Sequence, residues 1–509
     1  MTPYYVTTPI YYVNGAPHIG HAYTSIAADV LARWKRLDGY DVFFLTGTDE
    51  HGQKVEKAAM DADQAPQDFV DGVSQKFRDM SARMGLTNDD FIRTTEDRHR
   101  LACQELWRRL RESGDIYLGQ YEGWYAIRDE AFYDEDELQT RADGIRVGPS
   151  GAPVEWVREP SYFFRLSAFQ DRLLAHYAAH PDFIQPGSRR AEVTSFVKGG
   201  LRDLSVSRTS FSWGVPVPDD PAHVMYVWLD ALTNYLSAVG FPDETGPRWR
   251  FWPADVQLVG KDIIRFHAVY WPAFLMAAGL PLPRAIVSNG WWTASGEKMS
   301  KSLGNAVDAD VLVDRFGLDA VRYFLLREVP FGNDGDYSDA ALIRRMNVEL
   351  ANDLGNLAQR SLSLIAKNCG GVQPQRGPAT PEDAALLLAA HSLPAVMRPR
   401  FERVAFHDAL EDVWKVIRAG NAYIDHQAPW ALKKTDVVRM ASVLAVLAEA
   451  IRCVALVLQP FMPGSMARML DQLGVPAGAR QLADLTRAVP PGTALPPPEG
   501  VFPRYVEAA

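Results

Sequence analysis

Cysteine is nearly absent from the chain. Cys103, Cys369 and Cys453 are the only three in 509 residues, and they lie far apart with no C-x-x-C pair. That argues against a disulfide framework and against a thiolate zinc site, and it makes a reducing, cytoplasmic setting the expected one. The opening MTPYYVTTPIYY lacks a basic segment followed by an apolar one, so no secretory leader is expected there. Long uncharged apolar runs are missing too. The longest candidate, ASVLAVLAEAIRCVALVLQPFM, is interrupted by Glu449 and Arg452 and reads as a packed amphipathic helix, so no membrane association is expected. An excess of basic residues is also lacking: the net charge is −10, which disfavours blanket binding to nucleic acid. The charge is unevenly spread, however. Residues 351–509 hold 16 Lys and Arg against 14 Asp and Glu, a net of +2, which leaves −12 for the remainder. Local patches in the back of the chain can therefore still hold an anionic polymer.

The chain is too long for one core and should hold two to four domains. YYVTTPIYY is β-rich, and Ile19, Tyr23, Ala27, Leu31 and Trp34 then recur at helical spacing up to Gly39. DVFFLTGTDEHG follows as a buried strand running into a polar loop. Strand, helix and strand imply a parallel pair with a right-handed crossover. The expectation is an α/β Rossmann-type doubly wound parallel sheet with an inserted connective module, followed by an all-α helix-bundle domain. In residue numbers, the sheet domain takes 1–113 and 209–325, and the aromatic, turn-rich insertion takes 114–208. A linker covers 326–350, and helices with a Pro-rich strap (VPPGTALPPPEG) cover 351–509.

Two short stretches carry chemistry. In HIGH, His18 and His21 bracket Gly20 at a strand-to-helix junction. Three readings fit: a metal site, which lacks an evident third ligand; a phosphate site at a helix N-terminus; or an ordinary helix start. In NGWWTASGEKMSKSLGN, Lys298 and Lys301 lie three apart with Ser300 and Ser302, flanked by Gly296 and Gly304. Such a loop can converge on a polyphosphate or simply be solvated surface.

Taken as an ordered pair, HIGH and KMSKS resemble the paired motifs of class I aminoacyl-tRNA synthetases. PIYYVNGAPHIGH, TGTDEHG, YVWLDALTNY, GKDIIRFHAVYWPA and DHQAPW are each similar to segments of the methionyl-tRNA synthetase family, and the likeness runs over nearly the whole chain. The resemblance implies activation of methionine by ATP, with Mg²⁺, and transfer to the terminal ribose of tRNA(Met). It implies that His18, His21, Lys298 and Lys301 act on the triphosphate, with Ser300 and Ser302 in the same loop. Gly20 would lie under the adenine, and at the ATP site Gly260 would give a tight strand-to-helix turn that places Asp262 at the ribose hydroxyls. It assigns Ile10, Tyr12, Trp228, Ala231, Leu232, Tyr235, Ile263, Phe266 and His267 to a methionine pocket, with Asp49 on the α-ammonium group. Without the resemblance, Trp228 and Leu232 fit a helix core stripe equally well. Asn356, Arg360 and Trp430 match positions that read the CAU anticodon, by stacking and by hydrogen bonds to base edges.

One departure stands out. Many relatives place C-x-x-C just after a segment like YEGWY, whereas here Ala126, Ile127, Arg128 and Asp129 follow it. A zinc-free insertion and no metal site are therefore expected. With no appended dimerising domain after FPRYVEAA, a monomer is expected. An insertion of this length is too short for an editing domain, which disfavours the valine, isoleucine and leucine enzymes. A small-molecule adenylyltransferase also uses an H-x-G-H turn, but does not need the helical half. A catalytically inactive tRNA-binding relative would not need every catalytic position filled.

Overall fold

The computed structural model describes residues 1–13, 15–128, 131–133, 135–294, 296–299 and 307–506. The chain divides into two units that interleave in sequence: Pro3–Pro17 with Phe43–Asn289, and Met1–Thr2 with His18–Val42 and Gly290–Ala509.

The first unit is built on a seven-stranded sheet. Its order is Ile184–Gln185, Ile286–Asn289, Val256–Gly260, Pro3–Thr7 and Asp41–Asp49, and both Tyr11–Tyr12 and Asp90–Arg93 pair with Asp41–Asp49. The ladders are parallel, with Val6 opposite Val256, Leu258 opposite Val287 and Leu45 opposite Asp90. Sequences such as YYVT and VQLV suit this sheet because parallel strands are covered on both faces. Tyr5, Leu45, Trp107, Phe164, Tyr235 and Trp271 belong to one continuous core over the sheet. Pro3–Thr7 lies between strands reached by crossings in opposite directions. The carboxyl ends of these three strands therefore diverge into a crevice, where open α/β sheets take ligands.

The insertion centres on a long antiparallel pair, Ile116–Ala126 with Glu155–Phe164, extended by Ala131–Tyr133 and Leu204–Ser205. Its tip has a small core of Ala126, Ala152 and Val154 under Trp124, Tyr133 and Leu138. Trp124 Nε1 donates to Glu135, which also pairs with Arg146, and the Arg146 guanidinium lies 4.6 Å over the Trp124 ring. Within the stretch 114–208, Ile184–Gln185 joins the main parallel sheet rather than the antiparallel one.

The second unit is mostly helical. Its helix Ile19–Leu37 is buried along most of its length. Trp34 stacks on Phe401 at 4.1 Å, and buried Asp29 pairs with buried Arg322 at 2.6 Å. A three-stranded sheet joins Trp292–Ala294 to Glu297–Lys298 and Gly335–Tyr337. The helix Val437–Leu458 is the centre of the bundle, packed against Pro381–His391, Phe406–Gln427 and Pro463–Gln472. It is long and apolar enough to cross a membrane, but it is buried inside the unit. The amphipathic reading of this segment is corrected here: Glu449 and Arg452 are also buried, and they bond each other twice at 2.8 Å. Arg452 also donates to the carbonyl of Leu485, so the charged pair is satisfied internally instead of facing solvent. The Pro-rich tail lies against this unit as a strap, with Ala494 bridged to Val372 and Glu499 bonded to Gln472.

Candidate active site

HIGH is a helix start whose two imidazoles cap each other. His18 is the N-cap of Ile19–Leu37, in extended conformation, and its Nδ1 accepts the N–H of Gly20 at 3.0 Å. His21 Nδ1 accepts the N–H of His18 at 3.1 Å, which completes a capping box normally made by Ser or Thr with Glu. Both Nδ1 atoms are thus acceptors, so in each neutral ring the hydrogen resides on Nε2. The first turn carries no acidic residue, and the helix dipole favours an anion at this end. A side chain at Gly20 would put its Cβ 2.9 Å from the His18 ring, so glycine leaves the cap undisturbed.

In the same unit, Tyr23 of this helix meets Trp292 edge to face at 5.8 Å. Trp292 opens the hairpin whose second strand, Glu297–Lys298, begins KMSKS. Lys298 stands opposite Thr293 in that ladder. The N–H of Ile19 bonds the carbonyl of Val307, so the chain just past the KMSKS loop returns to the helix start. Ser300, Lys301 and Ser302 lie outside the described residues.

In the sheet unit, the residues assigned to methionine gather at the carboxyl ends of the strands. Asp49 ends its strand, buried, directly opposite Tyr12 in the ladder. Trp228 and Phe266 stack face to face, with ring centres 3.6 Å apart and 6° from parallel. Ala231, Leu232 and Tyr235 are buried on the helix Val227–Ser237, and Ile10 and Ile263 pack at the edge of the same core. Phe266 and His267 lie on a π-helical turn, Phe266–Tyr270, a feature frequent at functional sites. His267 Nδ1 faces the carbonyl of Ile263 at 3.0 Å, and Nε2 faces the Tyr235 hydroxyl at 2.7 Å. A carbonyl can only accept, so Nδ1 carries the hydrogen and Nε2 accepts from Tyr235. Burial pushes the imidazole down to about 4, which keeps it neutral at pH 7. Gly260 closes its strand, and a Cβ there would meet Asp262 Oδ1 at 2.6 Å. Asp262 itself is exposed at the strand-to-helix turn.

Comparisons with known proteins identify the family. The family model for tRNA synthetases class I (M) matches residues 4–362, and that for the anticodon binding domain of methionyl tRNA ligase matches residues 373–508. The chain belongs to the class I tRNA synthetases. It is 57% identical to the methionine–tRNA ligase of Mesorhizobium japonicum, over 99% of this chain and 98% of that one. The match to the Rhizobium meliloti methionine–tRNA ligase is also 57%, with the same coverage. Among solved structures, Mycobacterium tuberculosis methionyl-tRNA synthetase in complex with methionyl-adenylate superimposes with a TM-score of 0.97. It is 55% identical, covering 99% of this chain and 100% of that one.

The three residues expected to read the anticodon lie in the helical unit. Asn356 is exposed at the start of the helix Asn356–Asn368. One turn on, the Arg360 guanidinium lies 5.3 Å over the half-exposed Trp430 ring and bonds Asp425 at 2.7 Å. Asp425 was not among the expected site residues; the DHQAPW segment contains it, but nothing local marks its pairing with Arg360.

Two side-chain groups among the described residues have the donor types of a metal site: His99, Cys103 and Asp230, and His391, Glu449 and Cys453. Neither suits one. His99 Nε2 bonds Asp230 directly at 2.6 Å, and Glu449 is taken by Arg452. Burial raises both thiols, Cys453 to about 12.

Proposed function

We propose that this synthetase activates methionine with ATP through the residues described above, and then charges tRNA(Met). It is an aminoacyl-tRNA ligase that forms methionyl-adenylate. The observation that supports the site assignment is the imidazole capping box at a helix N-terminus, in which both Nδ1 atoms accept backbone N–H groups and leave each ring hydrogen on Nε2. A methionine carboxylate oxygen attacks the α-phosphorus while the bond to the pyrophosphate oxygen breaks. No side-chain nucleophile is needed, so catalysis consists of alignment and stabilisation of negative charge on the phosphates. His18, His21, Lys298 and Lys301 supply that stabilisation, and Mg²⁺ accompanies the ATP. Asp49 accepts the α-ammonium group. Trp228, Phe266 and Tyr235 form an aromatic wall for the thioether, worth about 0.3–1.5 kcal/mol per sulfur–ring contact. Neutral His267 completes the pocket without adding a charge. In the second step a hydroxyl of the terminal tRNA ribose attacks the aminoacyl carbonyl, and AMP leaves. Asn356, Arg360 and Trp430 read the anticodon. The working form is a cytoplasmic monomer with no zinc in its insertion.

The test is ATP–pyrophosphate exchange with each of the twenty amino acids, with Mg²⁺ and no added zinc. Exchange with methionine alone, followed by charging of tRNA(Met), is the expected result. Exchange without charging would favour a small-molecule adenylyltransferase, and no exchange from folded protein would favour an inactive tRNA-binding relative.

A further inference from the structure

The strand end that carries Asp49 is held by hydrogen-bonded side chains that the proposed reaction does not use. Buried Glu50 accepts two bonds from Arg93, at 2.7 and 3.0 Å, and one from the Thr95 hydroxyl at 2.6 Å. His51 Nδ1 lies 2.6 Å from Asp230 Oδ2. Asp230 is fully buried, and its second oxygen meets His99 Nε2 at 2.6 Å. His99 Nδ1 in turn meets Ser237 Oγ at 2.9 Å, while the Ser237 hydroxyl donates to the carbonyl of Thr233. One carboxylate therefore ties three elements together: the strand end at Asp49–His51, the helix Asp97–Glu112 and the helix Val227–Ser237 that carries Trp228, Ala231, Leu232 and Tyr235.

Burial alone would push the Asp230 carboxyl up, but the His51 and His99 imidazoles reverse this and hold it well below the usual carboxylate range. Apolar packing would join the same elements without desolvating a charge, but it would not fix direction. A two-pronged hydrogen bond fixes direction as well as distance.

We propose that Asp230 is a positioning residue for the amino-acid substrate: through His51 it sets the strand end so that Asp49 meets the α-ammonium group at a fixed distance from the thioether wall. The proposal rests on the reading of Asp49 as the ammonium partner. Neither Asp230 nor His51 touches substrate in this scheme. Misplacement of a binding group by about 1 Å can cost up to about 10²-fold.

The test is methionine-dependent pyrophosphate exchange by Asp49→Ala, Asp230→Asn, His51→Ala and His51→Asn enzymes, each checked for folding by its thermal transition. An asparagine amide can take the place of the His51 Nδ1 donor. Asp230→Asn and His51→Ala are expected to raise the KM for methionine about tenfold or more and to leave the KM for ATP within about twofold, with His51→Asn recovering most of the loss. A general structural defect would move both KM values and would not be rescued by asparagine. Should Asp230→Asn not fold, the two His51 variants decide alone. An unchanged methionine KM in the folded variants, or equal rises for methionine and ATP, overturns the proposal while leaving the Asp49 reading intact. An unchanged methionine KM in Asp49→Ala overturns the ammonium reading itself, and the proposal with it.

Discussion

His18 serves two roles that can be separated by choice of substitution. Its Nδ1 caps the helix, and its Nε2–H points away from the cap. Asparagine is among the strongest N-caps but cannot reproduce the outward donor. His18→Asn is therefore expected to keep the thermal midpoint of the parent while adenylate formation falls by about 10²-fold, the scale for one lost transition-state donor. His21→Ala removes both contributions and should lower stability as well, by about 0.5–2 kcal/mol. Lys301→Ala should match the catalytic loss alone. Exchange rates close to the parent's in His18→Asn would remove the imidazole from the phosphate site. His267 offers a second test at this scale. Its folded-state value of about 4 lies below the ordinary 6.5 of an exposed imidazole, so between these values the unfolded chain binds the extra proton. The stabilisation is complete above pH 6.5 and disappears as the pH falls through 4, in total about 3 kcal/mol. In denaturant titrations, His267→Gln should lack this part of the acid destabilisation. A parallel fall in both proteins would show that the imidazole is not buried in its neutral form.

At the scale of elements, legibility in the sequence followed the range of the interactions. HIGH at a helix start, the strand DVFFLTGTD and the helical second half are local patterns, and each was readable from spacing. The π-helical turn at Phe266–Tyr270 was not, because a single extra residue in one turn leaves no mark on a 3.6-residue period. Asp230 was equally silent: its partners His51 and His99 are 179 and 131 residues away, so only the folded sheet brings them together. Arg452 and Glu449 suggested an amphipathic helix because sequence does not show that Arg452 finds the Leu485 carbonyl 33 residues away. The insertion is the opposite case, where a missing motif raised the expectation of a zinc-free module. In this module Trp124, Glu135 and Arg146 form a cation–π and ion-pair cluster over a small apolar core. Dialysis against a chelator, followed by restoration of Mg²⁺, is expected to leave the thermal transition and exchange activity unchanged. A loss that zinc reverses would contradict this reading of the insertion.

At the scale of the whole molecule, the two reaction steps draw on different parts of the chain. Adenylate formation needs methionine and ATP only, whereas charging also needs tRNA, and the proposed reading places anticodon contacts at Arg360 and Trp430. Trp430 is 41% exposed although large and aromatic, and its face is covered on one side by the Arg360 guanidinium. Arg360 itself is drawn toward Asp425, so the side chain is already oriented before any base arrives. Stacking of one base on an aromatic ring contributes about 1–3 kcal/mol, which converts to roughly 5- to 150-fold in kcat/KM for tRNA. Trp430→Ala should therefore reduce charging within that range and leave pyrophosphate exchange with methionine unaltered. Because the backbone phosphates supply a charge-dependent share of tRNA binding, the defect should persist at raised salt, where stacking keeps its strength and long-range attraction is screened. Equal losses in exchange and charging would instead assign Trp430 to the packing of the helical unit, since a folding defect cannot distinguish a step that needs tRNA from one that does not.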